Sequence, residues 1–187
     1  MKKMKIIFMV WIIIMFMASF TCSLVYLISQ QSLRLGANEA PSQLANETAI
    51  NLKNGQNAKN AIPNEKIDIT NSLNTFVMVY DSTKNLIASS GTVRGSQPLY
   101  PSGVLDHVTG NKESRVTWQP DIGLRFASVA IKYEDGYIVA ARSLSETEKL
   151  IGMIGKLIIY AWLACTIFTG LVLGVCYLVM IKEKVHE

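Results

Sequence analysis

Few residues in this chain have the types that catalysis uses, and their spacing narrows what chemistry is open. His107 follows Asp106, and serine and aspartate are plentiful, but a nucleophilic triad needs a base within hydrogen-bond reach of an exposed nucleophile. The nucleophile-elbow pattern G-x-S-x-G is absent, as is a phosphate-cradling P-loop. No His/Cys/carboxylate spacing recurs, and Cys22, Cys165 and Cys176 all fall in long apolar runs. No enzyme, metal site or cofactor is therefore expected. A more suggestive set is polar and aromatic: Tyr100, Arg115, Trp118, Arg125, Tyr133, Tyr137 and Arg142. A guanidinium beside Tyr100 or Trp118 would hold a carboxylate ligand bidentately. The competing reading puts the arginines on a solvated face and makes Trp118 a core plug. A third set is Thr166, Gly170 and Gly174, a stripe of small residues one helical turn apart that lets helix backbones approach closely in lipid.

These sets need elements to position them. From residue 75 the pattern is that of strands: 75–80 is β-branched and aromatic, 81–85 is turn chemistry, and 86–90 reads as a partner strand. Three more strands are predicted at 114–119, 124–133 and 137–144, separated by Pro120-Asp121-Ile122-Gly123 and by Glu134-Asp135-Gly136, breaks suited to hairpins. Alternation then turns Arg115 and Thr117 away from Trp118, and Arg142 away from Ala141. Ahead of the strands, Leu44, Ala45, Ala49 and Leu52 recur at helical spacing, which predicts a helix over 41–53 with Pro41 in its first turn. Residues 54–64 read as a flexible linker. Val104 to Val108 fits one or two helical turns, stopped by Gly110-Asn111, and Ser145 with Glu148 fits a capping box at the start of a last helix. Five antiparallel strands with helices on one face make an α+β domain.

The chain of 187 residues has room for one such domain plus membrane segments. Residues 6–28 and 157–181 carry no charge, and a helix of either length crosses a hydrocarbon core about 30 Å thick. The first run is longer than a secretory h-region and continues through Leu24-Val25-Tyr26-Leu27-Ile28, so an uncleaved span is preferred to a signal peptide. Lys2, Lys3 and Lys5 precede it and only Arg34 follows closely, which keeps residues 1–5 in the cytoplasm, exports 29–156 and returns 182–187 to the cytoplasm. Taken alone, the second span argues the opposite way, with Arg142, Lys149 and Lys156 before it and Lys182 and Lys184 after. The first helix usually dominates. The expected location is the plasma or inner membrane, with both termini cytoplasmic. Much of the net charge of +4 is this asymmetry, because 29–156 holds 13 Lys/Arg against 12 Asp/Glu. Nucleic acid is not an expected partner. Counted inward from the outer face, Ala18, Ser19, Cys22 and Ser23 lie level with 161–166, and Gly170 and Gly174 lie near Met15 and Trp11. That tilts the stripe toward a second copy or another membrane protein.

A helix leaving one span, a sheet, and a last strand feeding a second span resemble the extracytoplasmic sensor modules of bacterial transmembrane receptors, of the PAS-like or single-Cache type. The stretch Val139-Ala140-Ala141-Arg142-Ser143-Leu144-Ser145-Glu146-Thr147-Glu148 resembles the strand-to-membrane junction of some sensor histidine kinases. Across most of 37–150 the chain is similar to a group of small two-span bacterial membrane proteins, through Phe76-Val77, Tyr80-Asp81, Ile87-Ala88-Ser89-Ser90, Pro101-Ser102-Gly103-Val104, Arg115-Val116-Thr117-Trp118-Gln119-Pro120 and Arg142-Ser143-Leu144. That likeness carries no activity with it. The sensor resemblance implies a PAS-like five-stranded domain between two membrane helices, with a small-molecule ligand between the sheet and its overlying loops. Only six residues follow Ile181, so no kinase or other cytoplasmic output is expected from this chain. Two functions follow as expectations: a non-catalytic sensory or regulatory module acting through a membrane partner, or an accessory envelope subunit whose domain docks proteins and has no pocket.

Overall fold

A computed structural model describes residues 2–108 and 113–185; Gly110 and Asn111, the expected helix stop, lie outside the described residues. The chain divides into two compact units, 32–149 and 1–31 with 150–187.

The first unit is an α+β domain. Its strands β2 (Phe76–Asp81), β3 (Leu86–Ser89), β5 (Ser114–Asp121), β6 (Leu124–Tyr133) and β7 (Gly136–Ser143) form an antiparallel sheet in the order β3-β2-β7-β6-β5. Two short strands absent from the sequence reading, β1 (Ile67–Asp68) and β4 (Gly91–Thr92), pair in parallel beside it. The three central strands are buried on both faces, which explains their unbroken apolar runs. One face carries Phe76, Met78, Trp118, Phe126, Val139 and Ala141, and is covered by the connection that contains Tyr100, helix α4 (Ser102–Asp106) and Val108. The other presents Val77, Val129, Ile138 and Ala140 to helix α2 (Glu39–Lys53), and Val79 to helix α3 (Ala58–Ala61).

Three expectations are corrected here. Helices are not confined to one face, because Leu105 of α4 packs on the Phe76 side while α2 takes the opposite side. Within the presumed linker 54–64, α3 forms because Asn57 caps it through Lys59 N–H and because Ala58 and Ala61 are small enough to be buried there. The capping box does not form either. Helix α5 (Ser145–Val185) starts one residue early, with Glu148 N–H donating to the Leu144 carbonyl and Ser143 Oγ accepting from Ser145 N–H. Helix α2, by contrast, starts two residues before Pro41, which leaves the proline in the first turn, where its missing N–H costs nothing.

In the second unit, α1 (Lys2–Gly36) and α5 each contain an 18-residue window of mean hydropathy 2.3, long and apolar enough to cross a membrane. Half-buried positions recur on α1 at Ile7, Trp11, Met15, Ser19, Cys22 and Tyr26, and on α5 at Ile151, Gly155, Ile158, Trp162, Thr166 and Thr169. Those two faces meet where Trp162 Nε1 donates to Ser19 Oγ at 2.9 Å. The remaining faces are apolar and exposed, which suits lipid rather than water.

Candidate functional site

The domain places Tyr100, Trp118 and Tyr137 on one side of the sheet and the arginines, with Tyr133, on the other. Trp118 sits on β5 opposite Phe126, buried to 4% exposure, with ring centroids 5.4 Å from Tyr100 and 5.6 Å from Phe126. The Tyr100 hydroxyl lies 3.0 Å from Ser128 Oγ, which itself donates to the Val116 carbonyl. Ser128 is the polar residue that sequence reasoning missed: an inward-facing serine in the run F-A-S-V-A-I was the available signal. Tyr137 occupies the same face, but its strand position pairs with Tyr80, six residues along β7 from the Ser143 that faces Phe126. At strand spacing that separates it from Trp118 by about 20 Å. Burial raises the pKa of Tyr100 and, more strongly, that of Tyr80, so neither phenol exchanges protons near neutral pH.

All three arginines lie on the α2 side of the sheet, and each guanidinium meets a carboxylate of the same chain. Arg115 grips Glu113 Oε2 through Nε and Nη2 at 3.0 and 2.8 Å, while Glu113 Oε1 accepts from Ser42 Oγ and Asn46 Nδ2 of α2. The Ser42 hydroxyl bond, with Arg115 and Asn46 assisting, holds the Glu113 carboxyl below its usual range against a smaller opposing effect of burial. Arg125 Nη1 meets Glu148 Oε1 at 2.5 Å, and Arg142 Nη2 lies 3.7 Å from Glu146 Oε2. Both of those carboxylates belong to the first turn of α5. Two of the candidate ligand arginines therefore converge on the strand-to-helix junction. Between them Leu144 is buried, and its N–H donates to the Arg125 carbonyl at 2.8 Å.

Elsewhere, His107 is exposed and its Nδ1 bonds the Gly103 carbonyl at 2.7 Å, while Asp106 pairs with Lys84. Among the described residues no three His, Cys, Asp or Glu side chains form a group that could hold a metal. A cleft of about 920 Å³ opens between α2, α3 and the β6–β7 hairpin, lined among others by Lys53, Asp81, Ile87, Tyr133 and Asp135. Burial first, then Asp135 and Asp81, raise the pKa of Tyr133. Of the sequence candidates only Tyr133 lines it.

On α5 the small-residue stripe is divided. Thr166 is half-buried on the side facing α1 and donates to the Trp162 carbonyl, whereas Gly170 and Gly174 are exposed, and among the described residues nothing beyond their own stretch of helix comes within 4 Å of where a Cβ would stand.

Compared with known proteins, the chain matches no family model, no curated protein and no solved structure, so these comparisons do not identify a PAS-like or Cache family.

Proposed function

We propose that this protein is a non-catalytic, two-pass membrane protein whose α+β domain is a sensory or regulatory module acting through a membrane partner. The observation that carries this reading is the junction between β7 and α5. A single residue, Leu144, separates them; it is buried and bonded in both backbone directions, and Arg125 and Arg142 reach the first turn of the helix. A sheet joined this tightly to the first turn of α5 gives a displacement of the sheet a direct path into the helix. The exposed Gly170 and Gly174 offer the helix a flat face for a partner.

The second reading, a docking module without a ligand pocket, has its own support. The sheet face that a PAS-like sensor would leave to its ligand carries the packed rings of Phe76, Tyr100, Trp118 and Phe126.

A two-glycine insertion between Leu144 and Ser145 separates the two readings. In cells lacking the chain, a regulatory module with the insertion should reach the membrane at wild-type abundance, yet fail to restore the wild-type phenotype. Full restoration would sink the coupling and leave docking. In parallel, Gly170→Ile and Gly174→Ile should abolish lateral cross-links to a partner or a second copy; cross-links that survive both substitutions remove the glycine face from the proposal.

A further inference from the structure

Between α1 and α5 lies a cleft of about 560 Å³, with Ser19, Cys22 and Tyr26 on one wall and Gly155, Lys156 and Trp162 on the other. Its α5 wall runs from Ile151 to Trp162, and near the middle of it stands Lys156, exposed and the only charged residue in 150–181. About 9 Å deeper than Lys156 by helical rise, the Trp162–Ser19 hydrogen bond joins the two walls. The cleft's serine hydroxyls are already used: Ser19 Oγ donates to the Met15 carbonyl and accepts from Trp162, and Ser23 Oγ donates to the Ser19 carbonyl. No carboxylate lines the cleft, and among the described residues none pairs with Lys156.

An exposed cation on the wall of an apolar slot whose serine hydroxyls are already bonded matches a molecule with an anionic head and a hydrocarbon tail. A partner helix fits less well, since helices are about 10–12 Å across with side chains and the ~16 Å of one needed to span the wall would occupy ~1,300 Å³. We propose that this cleft holds one anionic phospholipid, with its phosphate group at Lys156 and an acyl chain along Cys22, Gly155 and Trp162. This rests on α1 and α5 being membrane spans.

The test uses the full chain in bilayer nanodiscs of equal phosphatidylglycerol and phosphatidylcholine, with retained lipids counted by native mass spectrometry. The wild type should keep phosphatidylglycerol over phosphatidylcholine by about fivefold, the contribution of one lysine near an anionic surface. Lys156→Gln should bring the two to parity, while Lys149→Gln, outside the cleft, should leave the preference intact. Gly155→Leu, growing toward a Tyr26 ring that a Cβ would already approach to 3.3 Å, should lower retention of both lipids. Parity in the wild type, or an undiminished preference in Lys156→Gln, overturns the site. A protein adduct trapped through Cys22 in native membranes also overturns it, by putting a helix where the lipid should be. Extraction of the chain by alkaline carbonate would instead overturn the membrane reading itself, and so is distinguishable from failure of the lipid site alone.

Discussion

Trp118 holds together one face of the sheet, because Phe76, Tyr100 and Phe126 all pack their rings against its indole. Truncating it to alanine leaves a void that neighbours anchored on three different elements cannot close. Trp118→Ala should therefore destabilise the domain by about 3–5 kcal/mol, the usual range for a core tryptophan, read as a lowered urea midpoint for the full chain in detergent. A midpoint unchanged from wild type would show that the ring contributes no packing. Strand alternation already set Arg115 and Trp118 on opposite faces. It could not reveal that Arg115 spends its guanidinium on Glu113, since the bond depends on where Ser42 and Asn46 of α2 hold that carboxylate.

Glu113 ties α2 to the start of β5, and this clip gives the domain a pH dependence. Its folded pKa lies below the unfolded value, so its contribution to stability is complete above the unfolded carboxylate pKa of about 4.3. It is lost as pH falls through the lower folded value, because the unfolded chain then binds more protons. In thermal melts, wild type should exceed Glu113→Gln above about pH 5, and the two curves should converge on further acidification. A constant gap down to pH 2–3 would mean that the carboxylate's charge plays no part. Turn chemistry at this scale was legible: Asp81 accepts from Asn85 N–H and Thr83 Oγ1 within the segment read as a turn. The single turn of α3 was not, since a run of Asn, Gln and Ala takes its structure from burial of Ala58 and Ala61 rather than from any period of its own.

For the whole molecule, the proposed topology rests on Lys2, Lys3 and Lys5, and labelling can decide it. After the native cysteines are replaced, a cysteine at Asn57 should react with a membrane-impermeant maleimide in intact cells, and one at Lys184 should react only after lysis. Labelling of Lys184→Cys alone in intact cells would invert the chain and move the domain into the cytoplasm. By itself the sequence determined the two long apolar helices, the five antiparallel strands and the α+β class, because hydropathy and the periods of 2 and 3.6 are properties of neighbouring residues. Tertiary structure alone decided how the charges pair, which face of the sheet each helix covers, and that Thr166 turns toward α1 while Gly170 and Gly174 remain open. The reason is physical: the Arg125–Glu148 bridge and the packed faces join residues far apart in the chain, the neighbouring Arg115–Glu113 pair is held by Ser42 and Asn46 of α2, and strand register and helix docking settle such partners, neither of which is written in local pattern.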